Sequence, residues 1–156
     1  MDDNLRDKIG GLYFGIFGIV VFLVGILEIG LGILNKTVHF GPVIFSGYFM
    51  LWRGVILFFA GIFYILSVKK FSDIHQKAKA VVASIMIWII AGTQLFSIIL
   101  ESIVGEGSRW FNTWEGFLST YAPPYIPSLL LLPFTLVIVY YVVSNEDTDE
   151  KNEMIE

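Results

Sequence analysis

Residues Gly11 to Leu34 read GLYFGIFGIVVFLVGILEIGLGIL, a stretch in which Glu28 is the single charge. A soluble helix needs a polar face opposite its apolar one. This stretch has none, so its solvent must be lipid. At about 1.5 Å per residue it reaches about 36 Å, enough to cross a hydrocarbon core of about 30 Å. Three further runs repeat the pattern: Val43 to Val68, Ala80 to Val104 and Pro124 to Ser144. Backbone polar groups in lipid must be satisfied within their own segment, which predicts helix for all four. A membrane barrel would instead need segments of about ten residues with alternating hydrophobicity, and none occur. The connections, Asn35 to Pro42, Lys69 to Lys79 and Gly105 to Pro123, are short enough to make neighbours antiparallel. The expected fold is therefore an all-α membrane protein with four transmembrane helices in an antiparallel bundle. Residues 1–156 are read as a single domain, with 145–156 a flexible acidic cytoplasmic tail.

Composition points the same way. Of 156 residues, 56% are hydrophobic, against about 45–50% in a soluble domain. The net charge of −4 comes from short charged blocks between long uncharged stretches. With no cysteine in the chain, disulfides, thiolate metal sites and cysteine nucleophiles are excluded. No basic face is available for nucleic acid. The opening Met1-Asp2-Asp3-Asn4-Leu5-Arg6-Asp7-Lys8 is acidic and no small-residue cleavage site follows it, so the first helix is expected to stay in the mature protein.

Lysine and arginine give an orientation. Arg6, Lys8, Lys69, Lys70, Lys77, Lys79 and Lys151 fall in the two tails and the middle connection, while Lys36 and Arg109 fall in the other two. The excess of cations predicts that both termini and the middle connection are cytoplasmic. On the outer side, Asn35-Lys36-Thr37 matches an N-glycosylation acceptor at a helix end. In the third connection Trp110, Phe111, Trp114, Phe117, Leu118 and Tyr121 recur at helical spacing, and Ser108 is a candidate cap. This predicts a short interfacial amphipathic helix. An anchoring aromatic belt is a simpler role for it than a lid or a docking surface.

Glycines Gly11, Gly18, Gly25 and Gly32 recur every seven residues in the first run, and Gly47, Gly54 and Gly61 do so in the second, flanked by Ser46, Ala60 and Ser67. A seven-residue repeat keeps a seam on one side of a helix. Small residues on a seam let two backbones approach closely, a main source of helix affinity in lipid. The first two helices are thus expected to form a tight hairpin.

Four strongly polar residues lie within the spans: Glu28, Arg53, Gln94 and Glu101. A charge at mid-bilayer costs roughly 2.5–3.5 kcal/mol on insertion scales, so these groups should face inward and pair. Counting depth from the outer ends makes Glu28 and Arg53 the expected partners, with Glu101 a second candidate for Arg53. Gln94, Ser97 and Glu101 share one helical face. Such a cluster is either a structural lock or part of an ion or proton path.

Other chemistry is missing. His39 and His75 fall on opposite sides of the membrane and cannot jointly bind haem or metal. No His–carboxylate spacing suggests zinc, no intramembrane His could activate a hydroxyl, and the glycines form no phosphate loop. No cofactor and no enzymatic activity are expected. The expected role is a non-enzymatic membrane subunit that packs against other membrane helices, its own copies or those of partner subunits, within the lipid. A small transporter or channel built on the Glu28, Arg53, Gln94 and Glu101 cluster is the alternative.

Overall fold

A computed structural model describes residues 3–47, 49–69, 71, 73–105 and 110–143. Its elements are α1 (Asp3–Ile33), β1 (Val38–Phe40), β2 (Val43–Phe45), α2 (Met50–Ser67), α3 (Ile74–Ile103), α4 (Trp114–Thr120) and α5 (Pro127–Thr135). After a turn at Leu136 the chain is helical again over 137–143. Three helices, Leu5–Ile33, Met50–Ser67 and Ile74–Ile103, are long and apolar enough to cross a membrane, while the apolar helix Pro127–Val143 is shorter. Leu12, Ile16, Ile19, Leu23 and Leu27 of α1 are all exposed. In water such a face would be costly; it is what a lipid-immersed helix presents.

The helix ends differ from the apolar runs for local reasons. α1 starts at Asp3, well before Gly11, and α3 at Ile74 rather than Ala80. Hydropathy marks what lipid must cover, whereas a cap marks where a helix starts. Asp73 is that cap in α3, its side chain accepting from the His75 N–H at 3.0 Å. At the other end of α1 the Lys36 N–H reaches the Leu31 carbonyl and the Asn35 N–H the Gly32 carbonyl. Asn35 has φ 51, so this is a Schellman motif with asparagine in the left-handed position.

The second apolar run requires correction. Its first residues form a β-hairpin, with Val38 opposite Phe45 and Phe40 opposite Val43. The connection is Gly41-Pro42, and Gly41 has φ +58, at the position where a type II′ turn takes glycine. Helix α2 therefore begins at Met50 and not at Val43. Ser46 and Gly47 lie before it, and Gly47 has φ +103, with no atom within 4 Å of the place a Cβ would occupy. Gly47 is thus a turn residue and not part of a packing seam. The hairpin is tied across the fold by the Ile44 N–H to the Tyr125 carbonyl at 2.9 Å and the Tyr125 N–H to the Pro42 carbonyl at 2.7 Å.

The fourth run is also not one regular helix. Pro133 has no N–H to donate and its ring crowds the preceding turn. Beyond it the Leu136 N–H bonds the Pro133 carbonyl in a tighter, three-residue step. The Tyr13 hydroxyl of α1 donates to the Phe134 carbonyl at 2.8 Å, which satisfies a backbone acceptor beside the break.

Contacts between α1 and α2 descend along one helix as they climb the other: Gly11 faces Val68 and Phe71, Gly18 faces Tyr64, Gly25 faces Phe58 and Gly32 faces Leu51. The core lies toward the α2–α3 connection, where Phe14 and Phe17 meet Leu57, Tyr64, Phe71, Ile87, Ile138 and Tyr141. There the Phe14 ring stacks on Tyr64 with centroids 5.5 Å apart. Toward the hairpin, α1 and α5 part. They leave an apolar cavity of about 580 Å3 lined by Val24, Leu27, Leu31, Phe45, Leu130 and Phe134 among others.

Candidate functional site

The intramembrane charges meet. Arg53 sits one turn into α2, and Glu28 projects from the glycine face of α1, where the absence of a side chain on Gly54 lets the Glu28 stem lie against the α2 backbone. The Arg53 Nε donates to both carboxylate oxygens of Glu28, at 2.8 and 2.9 Å. Glu28 is fully buried and Arg53 is 7% exposed. The Arg53 Nη2 donates to the Ser46 carbonyl at 3.3 Å, a contact that the Gly47 turn makes possible by folding Ser46 back over the start of α2. The pair is charge-assisted, and because it bridges α1 and α2 it fixes their register.

Gln94 and Glu101 are not partners of this pair. Gln94, half-buried on α3, joins Arg53 in lining a cavity of about 450 Å3 between α2 and α3, together with Phe49, Trp52, Ile56, Thr93 and Ser97. Glu101 is exposed and accepts from the Ser97 Oγ at 3.1 Å, one turn farther along α3. Glu101 as a partner of Arg53 is therefore replaced by Glu101 as an outer neighbour of the cavity.

A second buried charge pair was not expected from the sequence. Lys77 Nζ of α3 lies 3.2 Å from Asp7 Oδ1 of α1, with both side chains largely buried, and 5.8 Å over the Phe71 ring. Its residues read as tail and loop charges because the apolar runs stop short of them. The one sequence signal was helix-forming residues outside those runs. Polar links also stitch the helices elsewhere: the Tyr64 hydroxyl and Ser84 Oγ are 2.6 Å apart, and the Trp88 Nε1 donates to Thr135 Oγ1 at 2.5 Å.

The glycines separate into two groups. A methyl group at Gly25 would lie 2.5 Å from the Phe58 nitrogen, at Gly61 2.5 Å from the Phe22 nitrogen and at Gly54 2.7 Å from the Ile29 nitrogen. At Gly18 it would lie 2.7 Å from the Tyr64 Cβ and at Gly32 a looser 3.1 Å from the Leu51 backbone, whereas Gly11 is in ordinary contact and Gly47 lies off the seam. Close backbone approach is therefore concentrated in the middle of the α1–α2 pair.

The aromatic segment of the third connection is helical only from Trp114. Thr113 is the cap, accepting from the Gly116 N–H at 3.2 Å. Trp110 and Phe111 precede the helix, and Ser108 and Arg109 lie outside the described residues. Trp114 stacks on Phe117 at 5.9 Å, and the Tyr121 hydroxyl donates to Ser102 Oγ at 3.3 Å, which ties this helix to the end of α3. The acidic tail also lies outside the described residues. Among the described residues no group of three or more His, Asp or Glu is placed to hold a metal. Comparison with protein-family models, with curated proteins and with solved structures finds no match to this chain.

Proposed function

We infer that this chain is a non-enzymatic subunit of a membrane complex, four helices crossing the bilayer in an antiparallel bundle with both termini and the α2–α3 connection in the cytoplasm. The fourth crossing is Pro127–Val143, whose length is at the lower bound of about 17 residues for a span. The observation that carries the reading is the closure of Glu28 on Arg53. Both carboxylate oxygens are taken by one guanidinium nitrogen across the α1–α2 seam, which is what a register lock needs and what a carrier of ions must undo. The apolar gap between α1 and α5 supports a role in assembly, since close packing against a further helix is a source of stability in lipid. Native mass spectrometry of the complex extracted in mild detergent tests this. The expected result is a stoichiometric membrane partner or a second copy that stays bound; a bare monomer would count against it.

The cavity beside Arg53 favours one second reading, a small transporter using Arg53, Gln94 and Glu101. Proteoliposome flux that responds to Gln94→Leu, in the absence of any partner, would support it over the subunit reading.

A further inference from the structure

The Arg53 guanidinium is incompletely used. Arginine carries five N–H donors in a fixed fork and usually meets a carboxylate with two parallel bonds. Here a single Nε serves both oxygens of Glu28, and Nη2 turns to the Ser46 carbonyl. Arg53 also lines the α2–α3 cavity, which puts the donors not used by Glu28 and Ser46 within reach of a ligand held there. The Gln94 amide, which lines the same wall, adds two more. Thr93 and Ser97 give their own protons away, to the Ile90 carbonyl and to Glu101, and so offer lone pairs. The rest of the lining is Phe49, Trp52, Ile56, Ile89 and Ile90. The cavity is thus amphipathic, with a polar patch, the donors of Arg53 and Gln94 beside the lone pairs of Thr93 and Ser97, set among apolar side chains.

Charge selects among amphiphiles. Arg53 and Glu28 cancel, and Glu101 adds a carboxylate about 10 Å farther along α3 than Gln94 at 1.5 Å per residue. A net anion would meet that carboxylate without compensation. A headgroup that carries an oxyanion and, farther toward the membrane surface, a cation matches the order of charges. We propose that the α2–α3 cavity binds a zwitterionic phospholipid, its phosphodiester held by Arg53 and Gln94 and its ammonium directed to Glu101, with Trp52 and the isoleucines against the upper acyl chains. The site depends on α2 and α3 lying in the bilayer and not on the subunit role, so either can fail without the other.

The test uses the full-length protein in detergent and reads thermal stabilisation and native-mass adducts. Phosphatidylethanolamine and phosphatidylcholine are titrated beside phosphatidylglycerol, diacylglycerol and soluble glycerophosphoethanolamine. The expected result is binding of the two zwitterionic lipids at least fivefold tighter than phosphatidylglycerol or diacylglycerol, with no shift from the soluble headgroup. Gln94→Leu should weaken zwitterionic binding at least fivefold. Glu101→Gln, on an exposed face where folding is not at stake, should bring phosphatidylglycerol to parity. Equal binding of diacylglycerol would show that the phosphate is not recognised and overturn the proposal. An equal shift from glycerophosphoethanolamine would replace the lipid by a free solute, with the same consequence. So would an unchanged lipid preference in both variants.

Discussion

Arg53 and Glu28 depend on each other, and removing either one strands a buried charge or its partner. Removing Glu28 leaves a guanidinium that is 7% exposed without its counter-charge, and removing Arg53 strands a fully buried carboxylate. Breaking a buried pair from one side typically costs about 3–5 kcal/mol. Glu28→Gln and Arg53→Met should each lower the melting temperature strongly, and the double variant should recover most of the loss. The cycle measures that non-additivity in detergent melts; additive losses would mean that the pair does not lock the helices. Retained partner binding in the double variant would further separate the lock from a transport role. Asp7 and Lys77 pose the same question at the opposite end of the bundle. Lys77→Met should destabilise more than Lys79→Met, because the Lys79 Nζ finds its acceptor within its own helix at Gln76. Equal melts of the two variants would show that the Asp7 pair does not tie the helices.

At the scale of elements, the α1–α2 pair is held by backbone proximity, and glycine position decides the cost of a methyl group. Gly25→Ala must push apart the Phe58 backbone, 2.5 Å from the new carbon, whereas Gly30→Ala meets nothing within 4 Å. Alanine is the better helix former by about 1 kcal/mol. Gly30→Ala should therefore be neutral or stabilising, while Gly25→Ala and Gly61→Ala should lower the melting temperature. A seam that tolerates all three equally is not a close-packed one. A different local cause shapes α5: Pro133 breaks the regular ladder, and Tyr13 on α1 supplies a donor to the carbonyl beside the break.

For the whole molecule the arrangement sets two ends. The hairpin, α4 and the Arg53 cavity lie at one; Asp7, Lys77, Phe71 and the aromatic core lie toward the other. On the proposed topology, a cysteine introduced at Pro42 should react with a membrane-impermeant maleimide in intact cells. One at His75, whose ring is well exposed, should react only after the membrane is breached. The chain has no native cysteine, so the readout is clean, and the reverse pattern inverts the topology. Deleting 146–156 should leave the melt unchanged, because a segment so acidic and so poor in apolar residues adds little to a lipid-embedded core; loss of folded protein would show that it does.

Much of this fold was legible in local sequence. Long apolar runs can exist in lipid only as helices, because hydrogen bonds must close within each segment, and a seven-residue glycine period marks a seam whatever lies across it. The cost of isolated charge in a bilayer made Glu28 and Arg53 each require a partner, and depth narrowed the choice. The hairpin was written in Val38–Phe45 around Gly41-Pro42, but hydropathy favoured reading Val43 into the next helix. Other features depended on residues distant in sequence. Asp7 reaches Lys77 only because two helices extend past their apolar runs and bring these two side chains within reach of each other. Tyr125 pairs with the hairpin only once α3 and the connection after it bring the chain back to that end of the fold. The cavity beside Arg53 lies where Phe49, Trp52, Arg53 and Ile56 of one segment face Ile89, Ile90, Thr93, Gln94 and Ser97 of another. Helix identity is a property of each segment's own hydrogen bonds and solvent; a cavity is a property of what its walls leave unfilled, and that was decided by tertiary packing alone.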